Sequence, residues 1–81
     1  MEKVEVRLPQ WGMGMQEAQL TQWLKHEGDR IEIDEELAIL ETDKATQVVV
    51  APSAGVLEKI VVREGQTIPV DTVLAIIVAD P

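Results

Sequence analysis

Apolar and polar positions alternate at Val4, Val6 and Leu8, and again at Thr46, Val48 and Val50. That two-residue period belongs to a strand with one buried face. Residues 73–78 form a continuous apolar run, and their Val and Ile content favours a buried strand. The apolar set is mostly Val, Ile and Leu, with no Phe or Tyr. β-branched side chains are stiff and suit a pleated surface. Only residues 34–40 pass as helical, and they lie between turn signals. Turns are expected at Pro9-Gln10-Trp11-Gly12, Glu27-Gly28-Asp29, Asp43-Lys44, Pro52-Ser53-Ala54-Gly55 and Glu64-Gly65-Gln66. Strands are predicted at 4–8, 18–24, 30–33, 37–42, 45–50, 55–62, 67–68 and 73–78. Short strands between frequent turns predict an all-β sandwich or barrel.

The chain repeats itself. Glu27-Gly28 recurs as Glu64-Gly65, an offset of 65 − 28 = 37. At that offset Leu20 matches Leu57, Ile31 matches Ile68, and Asp34 matches Asp71. Leu37-Ala38-Ile39 matches Leu74-Ala75-Ile76, and Asp43 matches Asp80. So many ordered identities exceed chance. They predict two similar halves of about four strands, packed face to face as a flattened eight-stranded sandwich with approximate two-fold symmetry. Asp43-Lys44 and its counterpart Asp80-Pro81 should lie at opposite ends. Lys44 would then stand on a tip, with the chain ends leaving from the far side.

Composition narrows the function. With 81 residues the chain makes one domain, residues 1–81, with residues 79–81 a candidate start of a linker. A chain this small hides only about 60% of its unfolded surface, which weighs against a deep substrate cleft. Its 7 basic and 15 acidic residues give a net charge of −8. That disfavours nucleic acid and anionic membranes and favours either simple solubility or a basic docking partner. There is no cysteine, and the single His26 makes no His-rich metal site. No apolar run approaches the roughly 20 residues that span a bilayer, and Met1-Glu2-Lys3-Val4 does not read as a signal peptide. The expectation is a cytoplasmic protein, or a mitochondrial-matrix one in a eukaryote, monomeric as an isolated domain.

Two segments hold candidate chemistry. In Leu40-Glu41-Thr42-Asp43-Lys44-Ala45-Thr46, two strand patterns flank a two-residue tip. Position alone reads Lys44 as an ordinary solvated lysine. The segment Trp11-Gly12-Met13-Gly14-Met15-Gln16 has no counterpart in the second half. It is an inserted loop, read either as a contact surface or as a segment folded back over the sandwich edge.

The Glu41-Thr42-Asp43-Lys44-Ala45-Thr46 hairpin resembles the lipoyl-attachment turn of the 2-oxo-acid dehydrogenase family. The Glu-Gly-Asp and Glu-Gly-Gln turns, the repeat and the Ala-Pro-Ser-Ala-Gly turn extend the resemblance across nearly the whole chain. It implies a lipoyl carrier domain of a dihydrolipoamide acyltransferase, with no active site of its own. Lipoate would be amide-linked to Lys44, and Asp43 and Ala45 would form the attachment turn. Trp11, Gly12, Met13, Gly14, Met15 and Glu41 would serve partner recognition. The implied partners are a thiamine-dependent decarboxylase, an acyltransferase core, a flavin-dependent dihydrolipoamide dehydrogenase and a lipoate ligase or lipoyl transferase. The Trp-Gly-Met-Gly-Met wording is similar to acetoin-cleaving and some pyruvate systems, and so favours an acetyl group. Two rival readings stand beside this one. Biotin carriers share the fold, but typically place their lysine between methionines. An unmodified acidic interaction module is the other.

The remaining residues read as structural. Gly28 and Gly65 fit turns with positive φ, and Pro52 and Gly55 fit the turn into the sixth strand. Trp23 aligns with Ile60 in the core, and His26 aligns with Arg63 at a solvated turn.

Overall fold

The computed structural model describes residues 2–81. Eight strands follow in order: β1 (Lys3–Arg7), β2 (Glu17–Trp23), β3 (Arg30–Ile31), β4 (Glu36–Glu41), β5 (Thr46–Val50), β6 (Gly55–Ile60), β7 (Thr67–Pro69) and β8 (Val73–Ala79). Every pairing is antiparallel. The two sheets have strand orders β1-β8-β6-β3 and β5-β4-β2-β7. The 34–40 segment holds no helix: it opens in a turn at Asp34 and is strand from Glu36 onward. The predicted strand at 30–33 ends at Ile31 because the chain turns at Asp34, which has φ 65°, leaving Ile33 exposed.

The repeat is real, but the halves are not packed sheet against sheet. Each sheet takes two strands from each half. The second half crosses into the first, so neither folds as a separate layer. Reading β1 as β5, β8 as β4, β6 as β2 and β3 as β7 turns one sheet order into the other. The details obey the same rule. Register shifts fall at Thr21 in β2 and at Glu58 in β6, and opposite Val6/Arg7 at Leu74 and at Leu37 in β4. Asp34 and Asp71 have φ of 65° and 71°, a region that Asp tolerates better than most side chains. Gly28 and Gly65 have φ of 95° and 88°, which glycine adopts without a Cβ penalty.

Two carboxylates lock the halves reciprocally. Trp23 N–H donates to Glu64 Oε2 and Ile60 N–H donates to Glu27 Oε2, each at 2.8 Å. A charged acceptor makes these stronger than neutral pairs. Between the sheets lies one continuous core that includes Leu8, Leu20, Ile31, Leu37, Leu40, Leu57, Ile68, Leu74 and Ile77. Truncating any of these leucines to Ala should cost about 2–5 kcal/mol. Trp23 joins that core, and its indole N–H donates to Val62 O at 3.0 Å.

The molecule measures 37 × 21 × 17 Å. β2 starts beside the β4–β5 hairpin and runs inward to Trp23. β6 starts beside the chain ends, where Gly55 pairs with Ala79, and runs inward to meet it. The hairpin and the chain ends therefore occupy opposite ends of the long axis. Ala79 closes β8 and donates its N–H to Glu2 O, while Asp80 is held by Arg30.

Candidate functional site: the β4–β5 hairpin

Cross-strand pairing brings Glu41 opposite Thr46, which leaves Thr42 to Ala45 to make the turn. Two-residue hairpins usually use mirror-image turns with positive φ. Neither Asp43 nor Lys44 has positive φ. Thr42 closes the turn instead. Its backbone N–H donates to Ala45 O at 2.9 Å, and its hydroxyl donates to the same oxygen at 3.0 Å. That hydroxyl also accepts from Ala45 N at 3.2 Å and Lys44 N at 3.4 Å. The tip is thus fixed by a side chain within it, and Asp43, Lys44 and Ala45 are all exposed.

Beside the hairpin runs an open groove of about 210 Å³, lined by Glu17, Ala18, Gln19, Glu41, Thr42, Asp43 and Thr67. Glu41 and Asp43, singled out from the sequence, meet there. Thr42, Glu17, Gln19 and Thr67 were not foreseen. The signal for Thr67 was present, since at offset 37 it stands where the first half has Arg30. Among the described residues no group of three or more His, Cys, Asp or Glu could hold a metal ion.

The inserted loop divides. Met13 is 99% exposed, and Gly12 and Gly14 are exposed with it. Trp11 and Met15 are partly buried and pack against the core. A turn holds them there: Met15 N–H donates to Gly12 O, and Gln10 Nε2 donates to Met15 O. Trp11 does not reach the tip. It lines a second groove with Val48, Val49 and Val50, four to six residues along β5 from Lys44. The loop's far end does lead into Glu17 at the hairpin groove.

A protein-family model matches residues 4–77, the biotin–lipoyl model described as "biotin-requiring enzyme". The chain belongs to the biotin–lipoyl family. This biotin–lipoyl domain is 42% identical over 71 residues to the dihydrolipoyllysine-residue acetyltransferase component of an acetoin-cleaving system from Pseudomonas putida, covering 88% of the chain and 19% of that protein. It is 43% identical over 72 residues to a probable dihydrolipoyllysine-residue succinyltransferase component of the 2-oxoglutarate dehydrogenase complex from Schizosaccharomyces pombe, covering 89% of the chain and 16% of that protein. The chain therefore spans less than a fifth of either relative. The solution structure of the lipoyl domain of the 2-oxoglutarate dehydrogenase complex from Azotobacter vinelandii matches with a TM-score of 0.78 and 26% identity. That match covers 96% of this chain and 99% of the other.

Proposed function

We propose that this domain is a swinging-arm carrier whose working group is lipoate in amide linkage to Nζ of Lys44. One observation carries the reading. The Asp43-Lys44-Ala45 turn stands exposed at one end of a 37 Å body whose chain ends leave from the other. A group on Lys44 is thereby presented outward, while chain continuing past Pro81 would hold the body at a distance. The relatives named as dihydrolipoyllysine acyltransferases and the lipoyl-domain structure support lipoate over biotin. So do the flanking residues, Asp43 and Ala45 rather than two methionines.

The residues fit such a group. An exposed primary amine on a turn held by Thr42 can be acylated without disturbing the core. The chain has no cysteine and needs none: bound lipoate supplies a dithiolane that can be reduced and acylated. What the chain itself contributes is presentation, recognition and tethering. A short flexible tether raises the local concentration at each partner into the millimolar range.

In this reading a thiamine-dependent decarboxylase loads the arm and an acyltransferase core unloads it. A flavin-dependent dihydrolipoamide dehydrogenase reoxidises it, and a ligase attaches the arm beforehand. An acetyl group is the cargo favoured by the inserted loop. The domain has no active site of its own, is monomeric, and works in the cytoplasm or a mitochondrial matrix. Intact mass tests the assignment. Co-expression with a lipoate ligase and lipoate should add one lipoyl mass to the parent and none to Lys44→Arg, and a biotin ligase should add nothing. A biotinyl addition, or no addition to the parent, would overturn it.

A further inference from the structure

The two-fold repeat offers an internal control for the groove beside the hairpin. At the opposite end, Arg30 on β3 reaches across the start of β6 and holds Asp80 with both terminal guanidinium nitrogens, while its Nε donates to Glu32 Oε2. Nη1 lies 2.9 Å from Oδ1 and Nη2 lies 2.5 Å from Oδ2. At offset 37, Asp80 becomes Asp43 and Arg30 becomes Thr67. The strand between them becomes β2, with Glu17 and Gln19 at its start. Thr67 is too short to span that strand. The groove lined by Thr67, Gln19, Glu17, Glu41 and Asp43 is thus the space an arginine side chain fills in the other half. The lining has changed to match a missing cation. Glu17, Gln19 and Glu41 stand where the terminal end has Ala54, Val56 and Val78.

We propose that this groove receives an arginine of the enzyme that engages Lys44, its guanidinium forking onto Asp43 as Arg30 forks onto Asp80. The groove is a docking slot adjoining the carrier lysine, so a partner that grips it brings its own active site to the tip. Arginine is favoured over lysine because the template is bidentate, and a planar guanidinium matches a carboxylate with two parallel N–H donors. That the partner is an enzyme using Lys44 rests on the carrier reading. The chemistry of the slot does not.

The test separates the two. The unmodified 15N-labelled domain is titrated with N-acetyl-arginine amide and, in parallel, with N-acetyl-lysine amide, which carries the same charge. Arginine should move the amides of Gln19, Asp43 and Thr67 saturably and bind at least about threefold tighter than lysine. Asp43→Asn should weaken that binding. Thr67→Arg should abolish it, because its own guanidinium would occupy the slot. Equal response to lysine, shifts spread over Asp29, Asp34 and Asp71, no saturable shift, or an unchanged titration in Thr67→Arg would each overturn the proposal. If Thr67→Arg does not fold, Asp43→Asn decides alone. With lipoylated protein and a decarboxylase, Thr67→Arg should lower kcat/KM for loading by about tenfold, in KM rather than kcat. Intact mass verifies lipoylation first, so failure of the carrier reading shows there and not in the titration.

Discussion

At the terminal end, Arg30 grips Asp80, and the neighbouring stations are Ala54, Val56 and Val78. At the hairpin end the same backbone stations carry Thr67, Asp43, Glu17, Gln19 and Glu41. Both ends share register shifts, left-handed Asp residues and reciprocal Glu contacts. They differ almost wholly in which side chains face outward. The backbone symmetry makes the fold. The surface departs from that symmetry: one end is closed by its own ion pair, and the other is an open groove with three acidic residues beside an exposed lysine.

The most severe way to break the comparison is at the tip. Exchanging Asp43 and Lys44 keeps charge and composition, and both residues are exposed, so stability should change by less than about 0.5 kcal/mol. The exchange moves the amine by one residue on a turn held by Thr42, and so redirects it. Ligase-dependent modification should be lost completely with the far-UV circular dichroism unchanged. Lipoylation equal to the parent would show that hairpin geometry is not what is read.

A second test sets Ala18 against Gly55, partners across the two-fold. A Cβ on Gly55 would stand 2.1 Å from Val78 O, and that atom is backbone and cannot swing aside. Gly55→Ala should therefore destabilise by about 3 kcal/mol. Ala18 already carries its Cβ in a buried site, so Ala18→Gly should lose only about 1 kcal/mol. Urea unfolding measures both, and equal costs would mean the two ends pack alike there.

Much of this was legible in the sequence, for a physical reason. Alternation and β-branched content follow from a sheet with one buried face, so all eight strands were predicted near their observed places. The offset of 37 carried the symmetry because turns that need special φ restrict residue choice at both copies. What escaped was long-range. A repeat says that two halves are alike, not how they interleave, so the exchange of strands between sheets had to come from the pairing. The role of Thr42 escaped because a hydroxyl closing its own turn leaves no pattern. The groove escaped because it depends on Thr67 and Asp43 meeting across β2.

The inserted loop, present in one half only, gives a smaller effect. Trp11 and Met15 pack on the core, so changing either to Ser should cost about 1–2 kcal/mol. Met13, by contrast, stands fully in solvent. Met13→Ser should stay within about 0.5 kcal/mol of the parent. If the loop serves recognition, Met13→Ser should slow reductive acylation at unchanged urea midpoint. A midpoint shift for Met13→Ser as large as that for Trp11→Ser would place Met13 in the core.

The smallest expected effect is one of pH, and it too compares the halves. In the first half Lys25 Nζ pairs with Glu35, both side chains 29% exposed. In the second half the equivalent stations are Val62 and Thr72, which cannot titrate. The Lys25 ammonium, hydrogen-bonded to Glu35, holds that carboxyl below its ordinary value, and the Glu32 N–H at 2.9 Å acts in the same direction. Lys25 is raised in turn, chiefly by its hydrogen bond to Glu35. A depressed folded-state carboxylate contributes stability that is fully present above the unfolded pKa, near 4.3, and is lost as pH falls through the folded value. A raised lysine contributes below its unfolded pKa, near 10.4, and loses that contribution as pH rises further. Glu35→Gln keeps an acceptor for the Glu32 N–H and removes only the charge. The stability gap between parent and Glu35→Gln should therefore be constant from about pH 5 to 9 and close as pH drops below about 4. Raising salt should narrow it at neutral pH, since both partners are reached by solvent. A gap that persists undiminished at acid pH would mean that Glu35 acts through shape rather than charge.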